Sequence, residues 1–219
     1  MGKPMQLSSY FRSSAAYRVR IALNLKGLDA DLHLVHMLRD GGEHHKEPYK
    51  ALNPLGLIPT LVTDDGAVIT QSIAICEYLD EAFPKSPLLP TDINDRAYVR
   101  SLASLVACDI HPINNLRVLK YIQNEFSADN EQRNAWIDRW ISEGFTAFET
   151  MLANARKAGP FCFGDTPTLA DAFLIPQVFN AMRFSVPLDR FPRIRAINSA
   201  CLALPAFEMA SPARQPDAE

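Results

Sequence analysis

The chain has 219 residues, of which 47% are hydrophobic and 21% charged, enough apolar material for one large core or two smaller ones. Its formal net charge of −3 provides no overall positive field, which argues against nucleic acid or an anionic membrane as a partner. An anionic ligand would therefore have to be held by a local cluster of arginines. No apolar run approaches the roughly 20 residues needed to cross a bilayer, and we expect no secretion signal.

The four cysteines are far apart in the chain and form no CxxC pair. In a mid-sized chain this pattern is typical of reduced thiols in an apolar core, as in cytoplasmic proteins. No HExxH motif or carboxylate cluster with ligand spacing suggests a metal. We therefore expect a cytoplasmic location, no metal, and core positions for Cys76, Cys108, Cys162 and Cys201.

The first part of the chain alternates between strand-like and helix-like patterns. Apolar and polar side chains alternate in DADLHLVHM as they do in a half-buried strand, and an Asp65-Gly66 turn joins two short strands. The order βαβ followed by ββα predicts an open mixed sheet with helices packed on it. The predicted strands cover 5–11, 29–37, 58–62 and 67–70, and the predicted helices cover 14–25, 43–52 and 71–83.

A proline-rich stretch, FPKSPLLPTD at 83–92, separates this part from the rest. Proline opposes helices and strand pairing, so a domain boundary is expected there. Beyond it the chain shows only helical periodicity, including a capping-box pattern from Thr168 to Asp171. The predicted architecture is α/β plus all-α, with a domain carrying a four-stranded mixed sheet at 1–84, a linker at 85–91 and an all-helical domain at 92–219.

The most informative segment is YFRSSAAYRVRIAL at 10–23, where a predicted strand runs directly into a helix across two serines. Free amides and the helix dipole at that start would stabilise an anion. A serine hydroxyl there can donate to a thiolate and make a thiol nucleophilic near pH 7. On spacing alone, the alternative is that Ser13 and Ser14 only cap the helix.

This segment resembles the pattern of zeta-class glutathione transferases, Ser-Ser-Cys-x-aromatic-Arg-Val-Arg-Ile-Ala-Leu, except that Ala15 stands in place of the cysteine. The similarity continues through both predicted domains, in DGGEHHKEPYKALNPLGLIPTL, ITQSIAICEYL, LVACDIHPINN, FGDTPTLADAFLIPQV, NAMRF and AFEMASPARQPD. The resemblance implies a thioredoxin-like first domain that binds glutathione, a helical second domain that binds substrate, and usually a homodimer. It also implies isomerisation of maleylacetoacetate or maleylpyruvate to the fumaryl acid, in tyrosine or gentisate breakdown.

The resemblance also implies a glutathione site. Ser13 would face the sulfur with Ser14 beside it, and Ile58, before a cis Pro59, would pair with the cysteinyl part like an added strand. The remaining glutathione contacts would come from Gln71 and Ser72 at the γ-glutamyl carboxylate, His44 near the glycyl end, and Asp109, His111 and Asn115. Several of these residues also have an ordinary interpretation: Pro59 as the first residue of a strand, Ser72 as a helix cap, His44 as a solvated loop residue, and His111 as a helix-end residue that bonds a carbonyl.

Three arginines point to a dicarboxylate substrate. The resemblance implies that Arg12, Arg117 and Arg183 clamp carboxylates, as in the maleylpyruvate type, and that Arg12 acts with Ser13 and Ser14 in catalysis. Guanidinium groups suit this role because each binds a carboxylate through two parallel hydrogen bonds. The alternative for any one of them is a solvated surface charge.

The implied reaction is conjugate addition of the glutathione thiolate to the cis double bond, rotation about the resulting single bond, and departure of the thiolate. Glutathione is regenerated, so it acts as a cofactor. Two rival functions remain open at this point: a general transferase that conjugates glutathione to electrophiles, and a non-catalytic interaction module with the same fold.

Overall fold

The computed structural model describes residues 4–219, which form two compact units. One unit contains the chain up to Leu88 together with Ala203–Glu219, and the other contains Leu89–Leu202. The sequence-based boundaries instead place residues 203–219 in the helical domain. This segment lies with the first unit because its helix packs on the first helix of the chain.

The first unit contains a four-stranded mixed sheet, as predicted. Its strands are β1 (Gln6–Ser9), β2 (Asp31–Leu34), β3 (Thr60–Val62) and β4 (Val68–Thr70), in the order β2-β1-β3-β4. β1 pairs parallel with β2 and antiparallel with β3, and β3 pairs antiparallel with β4. All four β2 residues are exposed, so the prediction of a half-buried strand is wrong there. The strand lies at the edge of the sheet, and the buried residue is Val35, just beyond it.

Nine α-helices lie within the described residues. They are α1 (Ser14–Lys26), α2 (Glu47–Lys50), α3 (Ser72–Ala82), α4 (Ile93–Ser104), α5 (Leu116–Glu125), α6 (Asn130–Ala153), α7 (Leu169–Arg183), α8 (Pro192–Leu202) and α9 (Pro205–Ala210). A π-helical turn, Leu105–Ile110, continues α4. Within residues 4–219, no helix is long and apolar enough to cross a membrane.

α9 is bound to α1 by side chains that α1 directs toward it. The Tyr17 hydroxyl donates to the Phe207 carbonyl at 3.4 Å, and the Asn24 amide donates to the Ala206 carbonyl at 2.9 Å. α1 packs against both α3 and α9, and its residues Ala16, Val19, Ile21 and Ala22 are fully enclosed.

The second unit is helical, and its centre is α7, which packs against α4 and α8. The predicted capping box at its start is confirmed: the Asp171 carboxylate accepts from the Thr168 main-chain N–H at 2.7 Å and from the Cys162 N–H at 2.8 Å. Cys162 and Cys201 are buried, as is Cys76 in the first unit, but Cys108 is exposed, so the core prediction is wrong for that residue.

Candidate active site

The turn between β1 and α1 places two serines at the start of a helix. The Ser13 hydroxyl accepts from the Ala16 N–H at 3.2 Å, so Ser13 is the N-cap of α1. Because this bond uses an oxygen lone pair, the hydroxyl proton remains available to a ligand. Ser13 is half-buried and Ser14 is buried. Capping and donation to an anion are therefore compatible at Ser13, and the first amides of α1 have no acceptor within the helix.

Arg12 lies directly before this cap, half-buried, with its guanidinium carbon 4.7 Å from the centre of the Phe11 ring. The first turn of α1 contains no acidic residue. A cation beside a helix start opposes the helix dipole, typically by 0.3–1 kcal/mol. Arg12 thus adds positive potential where the dipole is already positive, which favours an anion at this turn.

The turn itself is held by a residue that the sequence analysis does not assign to the site. Arg20 is buried, and its guanidinium donates to Ser9 Oγ at 3.0 Å, to the Phe11 carbonyl at 3.2 Å and to the Ala210 carbonyl at 2.9 Å. Burial lowers the pKa of Arg20 to about 10, with the charges of Tyr17 and Asp217 acting in the opposite direction, so the group stays charged at neutral pH.

The Ile58–Pro59 peptide is cis, as predicted. Tyr49 and Asn53 both donate to the Leu57 carbonyl at 2.7 Å and so fix the loop that leads to it. The last ladder pair between β1 and β3 joins Ser8 and Thr60, so the Ile58 main chain lies beyond the paired part of β3.

α3 begins at Ser72, and its cap position is taken by Gln71, whose φ of 71° lies in the left-handed region. Only a minority of residues other than glycine adopt such angles, and these cluster at functional sites. The buried Ser72 hydroxyl accepts from Arg18 Nη1 at 3.1 Å, which leaves its proton for a ligand. The interpretation of Ser72 as an ordinary cap is therefore wrong.

His44 is buried, with only 4% of its surface exposed, so its interpretation as a solvated loop residue is also wrong. It lies in the short helical turn Glu43–His45. Gly42 makes room for it: a Cβ at Gly42 would lie 2.5 Å from the His44 Cε1 and 2.9 Å from the Met37 carbonyl oxygen.

Gly42→Ala is therefore expected to destabilise the fold by about 3 kcal/mol, since it adds a collision to an unfavourable backbone angle. Gly41→Ala is the matched control, because Gly41 also has positive φ but has nothing within 4 Å of its Cβ position. It should cost about 1 kcal/mol. Urea unfolding measures both values, and equal losses in the two variants would contradict the packing explanation.

The second unit carries the other predicted residues. Asp109 is exposed and His111 is half-buried. Asn115 is the N-cap of α5, and its Oδ1 accepts from the Arg117 main-chain N–H at 3.2 Å, so its amide N–H groups are the part left for a ligand. Within residues 4–219, no group of three or more histidine, cysteine or carboxylate side chains could hold a metal ion.

The two arginines of this unit differ in their local setting. Arg117 is exposed in the first turn of α5, which has no acidic residue, so the helix dipole opposes its charge. Arg183 is the last residue of α7, where a cation is favourable, and its guanidinium carbon lies 5.2 Å from the Phe184 ring centre. A favourable interaction with the helix dipole therefore accounts for an arginine at position 183, but not for one at position 117.

Comparison with known families gives two matches in order along the chain. Residues 12–82 match the glutathione S-transferase N-terminal domain, and residues 134–197 match the glutathione S-transferase C-terminal domain. The first match begins at Arg12 and ends at the last residue of α3, so it contains the serine turn, the cis-proline and all of α3.

Individual proteins are similar over nearly the whole chain. A maleylpyruvate isomerase of Ralstonia sp is 51% identical over 97% of this chain and 99% of its own. A holo structure of maleyl pyruvate isomerase, a bacterial zeta-class glutathione S-transferase, superposes with a TM-score of 0.94 at 48% identity, covering 98% and 100% of the two chains. A maleylacetoacetate isomerase from Methylobacterium extorquens AM1, with bound malonate and glutathione, gives 0.93 at 37% identity, covering 98% and 99%.

Proposed function

This chain belongs to the glutathione S-transferase family, and from that premise we propose that it is a glutathione-dependent cis–trans isomerase. The resemblance inferred from the sequence is thereby confirmed. The substrate is a maleyl diketo acid, either maleylpyruvate or maleylacetoacetate, and the product is its fumaryl isomer. The observation that carries the proposal is the placement of Arg12 and Arg117 at two helix starts, where a cation opposes the helix but attracts a carboxylate.

The first unit offers groups that suit each part of glutathione. Ser13 would donate to the sulfur, the Ile58 main chain would pair with the cysteinyl residue, and His44 would lie near the glycyl end. Gln71 and Ser72 would hold the γ-glutamyl carboxylate, supported by the free amides at the start of α3. In the second unit, Asp109, His111 and Asn115 are the residues to which the family resemblance assigns further glutathione contacts.

When bound, glutathione would supply a thiolate able to add to the carbon–carbon double bond next to the carbonyl, which permits rotation about the resulting single bond before the same thiolate is released. The residues of the chain favour this chemistry in two ways. Ser13, with Ser14 and the start of α1, stabilises the ionised thiol. Arg12, Arg117 and Arg183 orient the two carboxylates and stabilise the negative charge that develops on the carbonyl oxygen.

The same proposal covers assembly, location and domain roles. We expect a homodimer in the cytoplasm, on the strength of the family and of thiols that are unpaired in the structure. We assign glutathione binding to residues 1–84 and substrate binding to residues 92–219, joined by the linker 85–91, with the final segment 203–219 packed on the first unit.

The direct test follows the absorbance of maleylpyruvate and of maleylacetoacetate with purified protein, with and without glutathione. We expect isomerisation only when glutathione is present. An equal rate without the thiol would refute the mechanism. Turnover of chlorodinitrobenzene faster than of either maleyl acid would instead favour a conjugating transferase, and failure to bind a glutathione column would favour the interaction module.

A further inference from the structure

The main chain of Phe11 is held at both of its polar groups. Its N–H donates to Asp217 Oδ2 at 3.0 Å, and its carbonyl accepts from Arg20 Nη2 at 3.2 Å. The next two residues are Arg12 and Ser13. Asp217 is thus bound to the residue from which the proposed catalytic turn departs, although it lies 206 positions further along the chain.

Asp217 belongs to the segment 203–219, which we call the α9 segment, and hydrogen bonds of this segment fix its position. Arg20 binds the Ala210 carbonyl at the end of α9 at 2.9 Å. The Gln215 amide donates to the Met209 and Ser211 carbonyls, each at 3.0 Å, and closes the turn that follows the helix. Arg20 and the α9 segment therefore form one structure around Phe11, with a cation on one side and a carboxylate on the other.

Packing of the apolar core does not require these two hydrogen bonds to the Phe11 main chain. Phe11 is buried in a cluster with Tyr10, Ala16 and Ile58, so its side chain is already fixed by apolar packing. The carboxylate also fixes the main chain of Phe11, two residues before Ser13. A shift of about 1 Å in a positioning group costs on the order of 100-fold in rate in other enzymes.

We propose that Asp217 is a positioning residue, which holds the Phe11 main chain so that Ser13 meets the glutathione sulfur. This rests on the proposed function of the site. A positioning role and a purely electrostatic role for Asp217 predict opposite changes in the pKa of the glutathione thiol when Asp217 is replaced. Loss of a nearby negative charge alone would lower the thiol pKa, whereas loss of the Ser13 hydrogen bond would raise it.

The test measures the pKa of the thiol of bound glutathione, from the ultraviolet absorbance of the thiolate as a function of pH, without any maleyl substrate. Asp217→Ala and Asp217→Leu both remove the acceptor for the Phe11 N–H. We expect each to raise the thiol pKa by about one unit and to lower kcat/KM about tenfold. Asp217→Asn keeps an acceptor oxygen and removes only the charge, so it should restore kcat/KM to within about twofold and leave the thiol pKa unchanged or lower.

Glu219→Gln is the matched control within the same segment. Glu219 contacts His36 at 3.3 Å and Arg39 at 3.4 Å and does not touch the turn, so this variant should behave as wild type. A folded Asp217→Ala or Asp217→Leu protein with unchanged or lowered thiol pKa overturns the positioning role, and so does an Asp217→Asn protein as impaired as Asp217→Ala. Failure of the wild-type protein to bind glutathione or to isomerise would instead overturn the proposed function.

Discussion

Ser13→Ala is expected to lower kcat/KM about 10- to 100-fold, because a hydrogen bond to a charged group contributes about 1.5–3 kcal/mol. The hydroxyl is placed to stabilise the ionised thiol, so its removal raises the thiol pKa toward the usual value near 8.5–9. The pH profile of kcat/KM should therefore shift to alkaline pH, with the largest loss below the new pKa. Steady-state rates with either maleyl acid across a pH series measure both effects.

The capping role of Ser13 requires a control, because loss of an N-cap alone costs about 1 kcal/mol of stability. Asp92 caps α4 in the same way, accepting from the Asn94 and Asp95 N–H groups at 3.0 Å. Asp92→Ala should lose similar stability and keep wild-type kcat/KM. Ser13→Thr keeps a hydroxyl and should retain most activity. If Ser13→Ala and Asp92→Ala have the same kcat/KM, Ser13 is only a cap.

Features that depend on neighbours in the chain could be predicted from the sequence. The serine turn at the start of α1 and the Thr168–Asp171 capping box each lie within a few residues, and both form as expected. The cis Ile58–Pro59 peptide also forms as expected, but that expectation came from the family resemblance. The alternation of strand and helix patterns likewise predicts the four-stranded sheet. Local chemistry thus specified the elements that carry the proposed site.

Contacts between distant parts of the chain could not be predicted in this way. No sequence pattern links Asp217 to Phe11. Nothing in the position of Arg20 along α1 indicates that it binds the Phe11 carbonyl. His44 lies in a sequence rich in charge, yet Gly42 and the surrounding turn bury it. The alternating pattern at β2 predicts burial of one face, but the strand lies at the edge of the sheet. In each case the burial or contact depends on residues that are distant in the chain, so the neighbouring sequence does not predict it.

Arg117→Ala is expected to raise KM for the maleyl acid about 10- to 100-fold. It removes a bidentate, charge-assisted pair of hydrogen bonds to a carboxylate, and hydrogen bonds of this kind contribute about 1.5–3 kcal/mol. The same change should not destabilise the protein. Arg117 lies in the first turn of α5, where a cation opposes the dipole, so its loss removes an unfavourable term of about 0.3–1 kcal/mol. A weaker substrate complex together with unchanged or higher thermal stability is the expected combination, measured by steady-state kinetics and thermal unfolding.

Two controls separate a specific contact from general attraction. Lys120, also exposed, lies one turn further along α5, so Lys120→Ala removes an equal charge from the same helix and should leave KM within about twofold, as expected for a solvated surface charge. Arg117→Lys keeps the charge without the planar fork and should recover only part of the affinity. Comparing maleylpyruvate with maleylacetoacetate in each variant then identifies the acid that depends on this arginine, since a carboxylate held by the fork loses more binding than one held elsewhere. An unchanged KM in Arg117→Ala for both acids would assign Arg117 to the solvated surface and remove the main support for a dicarboxylate site.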